Sequence, residues 1–391
     1  MRGEDKRQRN TADQNRPKPC RARPFDLYGE LKLERREIPA NMDFGIICLA
    51  SVAVRKDVAF AEANGFTHAW IADSQMVWAD VFQCLALAAN DTSTIKLGTN
   101  VTNPSSRIAP VTACNFATLN VLAPGRVIMG IGTGNTSRRT LGMPAAKLGE
   151  LRTHIEVCRG LWNRTIVPYQ EGDRRRQIRF LDPDAGLINL RDPIPVYLAG
   201  SGPKSLELAG EIGDGVILFG VVGDSLLEYT LGHVRRGAER AGKRLQDLYI
   251  VATTAFHLTK PGESFADVQR AVGPLVTSEC NIFALSVKDP HELPADIRDD
   301  LMTFKDAYRT PNTPIETRHL DLYSGYCAEF KPEHAPLVTD KMIKETTLTG
   351  SAEELQVRIR KMAAAGVNQV VIAGDQAVID EFNTHVIQQL T

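Results

Sequence analysis

The sequence predicts an α/β fold, a (β/α)8 TIM barrel with a long insertion between strands 7 and 8. The first observation behind this prediction is that short β-branched segments recur after Met42, separated by stretches long enough for a helix. The second is that these segments are apolar almost throughout, which is typical of parallel strands buried on both faces. The third is their number, since eight strand–helix units make up a closed barrel. A doubly wound open sheet is the alternative architecture.

The eight predicted strands follow one another in a regular order along the chain. They are DFGIICL (43–49), HAWIAD (68–73), IKLGTNV (95–101), RVIMGIG (126–132), PVYLAG (195–200), GVILFG (215–220), LYIVATTAFHL (248–258) and NQVVIAG (368–374).

Helix signals stand between the strands. The segment VRKDVAFAEANGF ends at Gly65, and glycine commonly follows the last turn of a helix. PKSLELAGEIGDG begins with a proline suited to a first helical turn. Ser351 and Glu354 have the spacing of a capping box at the start of a third helix.

The chain divides into a tail and one folded domain. Residues 1–41 are rich in charge, Asn, Gln and Pro and poor in core-forming residues, so we predict a disordered N-terminal tail. Residues 42–391 form the predicted barrel domain. Within it, about a hundred residues (roughly 260–346) separate the seventh and eighth strands. An insertion of that length at the rim of a barrel is expected to cover the site or shape the substrate pocket.

Composition excludes several classes of protein. The formal net charge of -1 gives no electrostatic basis for binding nucleic acid or an anionic membrane. No apolar run approaches the roughly 20 residues of a membrane span. Seven scattered cysteines without a C-x-x-C motif favour reduced thiols in a cytoplasmic protein. The first strand ends without a His-x-His pair, and no strand end carries an embedded lysine, so we predict neither a metal site nor a Schiff base.

The most readable site motif is AGSGPKS, which follows the fifth strand. Gly200, Ser201 and Gly202 allow backbone N–H groups to approach a ligand, and a helix begins directly after them. Exposed amides at the positive end of a helix dipole favour a phosphate. Lys204 could add charge. The alternative is a plain glycine-rich turn.

Two further strand ends carry candidate ligand-binding groups. After the fourth strand, Gly134, Asn135 and Arg138 could hold the ribityl or phosphate part of a cofactor, although a plain turn is equally compatible. After the second strand, Asp73 could accept a hydrogen bond from a ring N–H or a hydroxyl group. Its alternative role is to cap the helix that follows.

Three motifs in order resemble the bacterial luciferase-like superfamily of flavin and deazaflavin enzymes. They are IKLGTNVTNP, ATLNVLAPGRVIMGIGTGN and PVYLAGSGPKSLELAGEIGDG, and the likeness is detailed from Met42 to about Ile217. They are most similar to the branch that contains methylenetetrahydromethanopterin reductase and deazaflavin-dependent sugar-phosphate dehydrogenase.

The resemblance implies specific roles for strand-end residues. A non-prolyl cis peptide would lie between Asn100 and Val101 and bulge toward the cofactor ring. Asn103 would hydrogen-bond the ring, and Asp73 would bind the cofactor. Ser201 and Gly202 would hold the phosphate. Relatives are commonly dimers, so the resemblance also implies a homodimer.

Departures from the family pattern affect the groups that handle protons. Ser74 stands where relatives have His, and Asn135 stands where they have an acid. Asn100 replaces the glycine of the methanopterin enzyme. The proton-handling groups are therefore missing or relocated, and the catalytic candidates are Asp73, Ser74 and Asn135.

Three functions remain open from the sequence. The first is a monooxygenase that uses reduced FMN and O2 on a small organic substrate, with a separate flavin reductase as a possible partner. The long insertion would shield the reactive flavin from water. The second is an oxidoreductase that transfers hydride with the deazaflavin coenzyme F420. The third is a flavin-binding protein without catalytic activity.

Overall fold

The structure, a computed structural model, describes residues 42–308, 313–323, 327 and 329–390. The predicted disordered tail over residues 1–41 lies outside the described residues. The strands are, in chain order, β1 (Asp43–Cys48), β2 (His68–Ile71), β3 (Lys96–Thr99), β4 (Val127–Ile131), β5 (Val167–Glu171), β6 (Arg174–Ile178), β7 (Val196–Ala199), β8 (Gly215–Phe219), β9 (Tyr249–Leu258), β10 (Leu348–Gly350) and β11 (Gln369–Ala373).

The helices surround the strands or lie between β9 and β11. They are, in chain order, α1 (Val54–Ala63), α2 (Val81–Asp91), α3 (Ala109–Leu122), α4 (Asn135–Arg139), α5 (Leu148–Trp162), α6 (Pro203–Ile212), α7 (Asp224–Arg240), α8 (Phe265–Ser286), α9 (Ala295–Ala307), α10 (Arg318–Tyr323), α11 (Asp340–Thr346), α12 (Ala352–Ala365), α13 (Gln376–Phe382) and α14 (Gln388–Leu390).

The eight predicted strands form a closed parallel barrel. Its order is β1, β2, β3, β4, β7, β8, β9 and β11, and β11 returns to pair with β1. The pairing of β8 with β9, with Phe219 opposite Thr253, excludes the open-sheet alternative. The (β/α)8 prediction is therefore confirmed.

The predicted helix boundaries are also confirmed. Gly65, just after α1, has a left-handed φ of 81°, and α6 begins at Pro203. At the start of α12, the Ser351 hydroxyl accepts a hydrogen bond from the Glu354 N–H at 3.3 Å. The Glu354 carboxylate accepts one from the Ser351 N–H at 2.8 Å, which completes the capping box.

Two additions to the barrel were not predicted. Strands β5 and β6 form an antiparallel hairpin, with Val167 opposite Ile178. The strand β6 reads RRRQI and is mostly exposed, so it lacks the apolar signal of a buried strand. The short strand β10 pairs with the far end of β9, where Leu348 lies opposite Phe256.

Large side chains fill the inside of the barrel. Trp70, Ile128, Tyr197, Ile217, Val251 and Val371 form this inner cluster. The Trp70 indole N–H donates to the Gln369 side-chain oxygen at 3.1 Å, so the one polar atom of this ring is satisfied. The barrel has a packed interior, and space for a ligand begins above it.

Gly130 in β4 provides the first test, because it allows strands β3 and β4 to lie close together. A Cβ atom at position 130 would lie 1.9 Å from the carbonyl oxygen of Thr99. We expect Gly130→Ala to lower the free energy of unfolding by about 2 kcal/mol or more, as overpacking does. Denaturant unfolding followed by circular dichroism would measure the change.

Gly149→Ala is the matched control. Gly149 lies in α5, and a Cβ atom there would meet nothing within 4 Å. Alanine is also the better helix former, so this variant should be as stable as the wild type or more stable. Equal losses in the two variants would contradict the close approach of β3 and β4.

Candidate active site

A cavity of ≈ 600 Å³ opens at the carboxyl ends of the barrel strands. Most of the predicted site residues line it, namely Asp73, Ser74, Asn100, Val101, Gly134, Asn135, Gly200 and Ser201. Asn103, Arg138 and Gly202 are not among its lining residues. These three were expected to contact a cofactor directly, and each has another structural role.

The end of β3 forms the floor of the cavity. The peptide bond between Asn100 and Val101 is cis, which confirms the prediction from the resemblance. The Asn100 amide donates to the Thr253 hydroxyl at 3.2 Å. Its buried Oδ1 has no hydrogen-bond partner within the described part of the chain. A buried acceptor without a partner is costly, so this oxygen is available to a ligand.

Asp73 is buried at the end of β2 and is paired with a cation. One Arg107 nitrogen lies 2.7 Å from the Asp73 carboxylate, and the other lies 2.8 Å from Asp80. The guanidinium also lies over the Phe82 ring, 4.9 Å from its centroid. The alternative role of Asp73 as a helix cap is wrong, because Asp80 caps α2 by accepting from the Phe82 N–H.

The loop after β4 turns sharply and begins the short helix α4. Gly134 has a left-handed φ of 80°, which glycine adopts without strain. The Asn135 Oδ1 accepts from the Arg139 side chain at 2.5 Å. The buried Nδ2 of Asn135 has no partner among the residues described. The lining of the cavity therefore contains an unsatisfied donor on Asn135 and an unsatisfied acceptor on Asn100.

Asn103 holds two loops together instead of facing the cavity. It is fully buried, and its Nδ2 donates to the Ser106 hydroxyl at 2.8 Å and the Ser137 hydroxyl at 2.9 Å. Its Oδ1 accepts from the backbone N–H groups of Ser105 and Ser106. Every polar group of this side chain is used, so the expected hydrogen bond to a ring has no free atom to form it.

Arg138 points away from the cavity. Its Nε donates to the Pro144 carbonyl at 3.1 Å, and the residue lines a second cavity of ≈ 610 Å³. His154 lines the same second cavity, and burial lowers the pKa of this histidine to about 4. The cation that the first cavity receives from α4 is Arg139.

The start of α6 forms one wall of the cavity. Gly200, Ser201 and Ser205 line it, so a helix N-terminus and two hydroxyl groups reach the same place. The first turn of a helix has backbone N–H groups without intrahelical partners, and they favour an anion. Gly202 lies behind this wall, where a Cβ atom would be 2.8 Å from the Ser286 carbonyl oxygen. Lys204 is exposed and does not line the cavity.

Helix α8 of the insertion forms a second wall, which meets the first where Ser286 lies against Gly202. Leu275, Ser278, Glu279, Ile282 and Ser286 line the cavity, as does Cys327. Glu279 is buried, and burial raises the pKa of its carboxyl group to about 8. The pattern of polar residues at strand ends did not indicate Glu279, because this residue lies in α8, outside every strand. The available signal was one carboxylate within the apolar helical run PLVTSECNIFAL.

The comparisons with known proteins agree with this architecture. Residues 51–369 match the family model described as luciferase-like monooxygenase. The chain belongs to this family. It is 27% identical to the 5,10-methylenetetrahydromethanopterin reductase of Methanolobus tindarius, over 84% of this chain and 93% of that protein. It is 29% identical to the F420-dependent glucose-6-phosphate dehydrogenase of Beutenbergia cavernae, over 77% of this chain and 91% of that protein.

A solved structure supports the barrel fold independently. The coenzyme F420-dependent tetrahydromethanopterin reductase from Methanopyrus kandleri superposes with a TM-score of 0.65 at 23% identity. The match covers 90% of this chain and 100% of that chain. As a member of the luciferase-like family, the protein is an oxidoreductase.

Two features are absent from the part of the chain that the structure describes. No described helix combines the length and the apolar character needed to cross a membrane. Across the same residues, no group of three or more His, Cys, Asp and Glu side chains is placed to hold a metal ion.

The Asp73–Arg107 pair gives the second test. Arg107→Met would leave the Asp73 carboxylate buried without its cation, and breaking such a pair costs about 3–5 kcal/mol. We therefore expect a large fall in the midpoint of denaturant unfolding. The double variant Asp73→Asn/Arg107→Met should recover part of the loss, because no uncompensated charge remains.

Arg55→Met is the control for this test. Arg55 forms a more exposed ion pair with Asp91, 3.4 Å apart, and such pairs contribute about 1 kcal/mol at most. If Arg107→Met were as mild as Arg55→Met, Asp73 would not depend on its partner.

Proposed function

We propose that this protein is an F420-dependent oxidoreductase that transfers hydride between the deazaflavin and a small organic molecule. The observation that carries the proposal is the long likeness to the F420-dependent dehydrogenase of Beutenbergia cavernae, which extends through 91% of that protein. The likeness to a methylenetetrahydromethanopterin reductase is equally extensive. The sequence alone favoured a monooxygenase that uses reduced FMN, whereas these relatives favour F420.

The polar groups of the cavity suit a deazaflavin. Its pyrimidine edge offers both hydrogen-bond donors and acceptors. On the side of the barrel strands, the described lining of the cavity holds one unsatisfied acceptor, the Asn100 Oδ1, and one unsatisfied donor, the Asn135 Nδ2. The cis-linked Asn100 and Val101 lie on the floor, where they would support one face of the ring. Both polar atoms would gain a partner on binding, which favours the complex.

The phosphate of the cofactor would lie at the start of α6. Gly200, Ser201 and Ser205 line the cavity there, and no acidic side chain belongs to this wall within the described lining. Together with the helix dipole, the hydroxyl groups would hold the anion without a lysine. When bound, F420 supplies a ring carbon that accepts or donates hydride, and the chain binds and orients it.

Catalysis by Asp73, Ser74 or Asn135 is a weaker expectation. The Asp73 carboxylate already has Arg107 as its ionic partner. Ser74 and Asn135 do not ionise in the range where enzymes work, so they can bind and orient but cannot exchange a proton as an acid or base. We assign these three residues to binding.

A monooxygenase that uses reduced FMN is the second candidate. The uncharged Ser74 and Asn135 side chains and the wall formed by α8 would suit a reactive flavin that must be kept from water. A flavin-binding protein without activity is the third. All three differ in what the cavity binds and in whether O2 is consumed.

One set of measurements separates these candidates. Purified full-length protein is titrated with F420 and with FMN, and ligand fluorescence gives each affinity. Oxygen uptake is then measured with FMN, NADH and a flavin reductase. Tight F420 binding without added oxygen uptake supports the proposal. FMN binding with oxygen uptake would replace it by the monooxygenase, and FMN binding without turnover would favour the third candidate.

The cavity wall formed by Gly200, Ser201 and Ser205, which we name the phosphate wall, gives a prediction of its own. Ser201→Asp places a negative charge beside the cofactor phosphate, and we expect F420 affinity to fall by about tenfold or more because like charges repel. Ser201→Ala removes one donor and should cost about three- to tenfold. Fluorescence titration at constant ionic strength measures both.

Lys204→Gln is the control on the same helix. Its side chain is exposed and outside the cavity, so affinity should change by about threefold at most. Unchanged affinity in Ser201→Asp, with circular dichroism like that of the wild type, would remove the phosphate from this wall.

A further inference from the structure

One face of helix α8 is turned toward the cavity along most of its second half. The lining residues Leu275, Ser278, Glu279, Ile282 and Ser286 recur at intervals of three and four, which is the spacing of a single helical face. Four of them are apolar or carry a hydroxyl group. Glu279 is the one ionisable residue of this face among the lining residues described.

Glu279 is held in place by the barrel rim. Only 6% of the residue is exposed. Gly220, directly after β8, has a left-handed φ of 55°, and a Cβ atom there would lie 2.7 Å from the Glu279 Cβ and Cγ. A side chain at position 220 would therefore displace Glu279. Because glycine has no side chain, Glu279 can pack against the end of β8.

No hydrogen bond to Oε2 and no cation within the described chain compensates for the burial of the Glu279 carboxyl group. Its Oε2 is buried and has no hydrogen-bond partner among the residues described. Burial raises its pKa to about 8, and no cation contributes. The charge of Glu279 acts on the neighbouring thiols of Cys280 and Cys327, and Asp300 on α9 also acts on Cys280. Burial raises the pKa of both thiols and keeps them neutral. Since a thiol carries no positive charge in either state, neither is a countercharge for the carboxylate.

The position of Glu279 separates it from the phosphate wall. Ser286 lies against Gly202, at the start of α6. Glu279 precedes Ser286 by seven residues, which corresponds to about 10 Å along a helix. The acid therefore lies away from the end of the cavity at the start of α6. A neutral carboxyl group at that end would contribute little to holding an anion.

We propose that Glu279 is the catalytic residue that exchanges the substrate proton, and that the substrate is an uncharged carbonyl compound or the corresponding alcohol. The inference rests on the F420-dependent function proposed above. Ser74 and Asn135 stand where relatives carry groups that exchange protons. In this protein, Glu279 would supply that function from the insertion instead of from the barrel rim.

The reaction balances in the direction of reduction. Reduced F420 gives hydride to the carbonyl carbon, and the carbon–oxygen π bond breaks. The oxygen takes the proton of the Glu279 carboxyl group, which forms the alcohol O–H bond. The ring releases its N–H proton to solvent as it becomes oxidised F420, and solvent returns a proton to the Glu279 carboxylate, so no net proton is consumed. Alcohol oxidation is the reverse of these steps.

The charge of the cavity sets the substrate class. Arg139 is the one cationic side chain in its described lining, and its Nε is bound to Asn135 at 2.5 Å. No lysine or histidine is present in that lining to pair with a second phosphate or a carboxylate. The wall formed by Leu275 and Ile282 favours an apolar body around the reacting carbonyl group.

The first test uses Glu279→Gln, which keeps the shape of the side chain and removes its proton exchange. A protonated carboxyl group has its own infrared band, which shifts in D2O. We expect this band at neutral pH in the wild-type protein and its selective loss in Glu279→Gln. Glu345→Gln is the control, since Glu345 is also a buried acid but caps α7 by accepting from the Leu226 N–H at 3.0 Å.

Stability gives a second readout without any ligand. The pKa of Glu279 in the folded protein, about 8, lies above the ordinary value of 4.5. Stability due to the neutral acid is therefore complete below about pH 4.5 and is lost progressively as pH rises from 4.5 to about 8. The unfolding midpoint of the wild type relative to Glu279→Gln should fall over this range. A flat difference and an unchanged infrared band would overturn the assignment.

The third test measures turnover. Reoxidation of reduced F420 is followed anaerobically with acetone, cyclohexanone and benzaldehyde as probes. Glu279→Gln should keep its F420 affinity and lose about a hundredfold or more in rate, as enzymes without their general acid do. The wild-type rate should fall as pH rises above about 8, and the residual rate of the variant should lose this dependence.

The outcomes separate the two proposals. If the wild type binds no F420, the proposed function fails and the role of Glu279 fails with it. If it binds F420 and reduces a probe while Glu279→Gln is equally active, only the role of Glu279 is overturned. If F420 binds but no carbonyl probe is reduced, the substrate class is overturned.

Discussion

Trp70 lies across the inside of the barrel, and its packing determines where a ligand can bind. A Cβ atom at Gly98 would lie 2.5 Å from the Trp70 ring, so the neighbouring strand leaves no spare room. Tyr197 and Tyr249 stack beside it with ring centroids 5.4 Å apart. With the interior filled, a ligand must lie above this layer, at the ends to which all eight parallel strands point. The polar residues that follow the strands meet there because the barrel closes.

Charge is distributed unevenly around that opening. On the barrel rim, Asp73 is neutralised by Arg107, and the Arg139 cation is engaged by Asn135. The rim therefore supplies hydrogen-bond donors and acceptors, and its buried carboxylate, Asp73, is already paired. Glu279 differs, because it is buried without an ionic partner among the described residues. The rim is suited to binding and orientation, whereas the helix of the insertion contributes the group that can exchange a proton.

Features that depend on neighbouring residues in the sequence were predicted, whereas features that depend on contacts between distant segments were not. The eight barrel strands were predicted because apolar runs are local signals. The cis bond after Asn100 followed from the resemblance. The role of Asn103 was missed, since its hydrogen bonds to Ser106 and Ser137 depend on how two loops pack. Glu279 was missed for a similar reason, as only the packing of α8 across the barrel opening brings it to the cavity.

The insertion is fixed to the barrel by the same contacts that would position its acid. Near one end of the cavity, Gly202 allows the start of α6 to approach the Ser286 carbonyl, and further along the helix Gly220 makes room for Glu279. Both glycines follow barrel strands, so the distance between the start of α6 and the acid is set by how α8 packs against the ends of two strands. A proton donor must lie within hydrogen-bond reach of the atom it serves. An acid on a long insertion meets that requirement only when its helix is tied to the rim in this way.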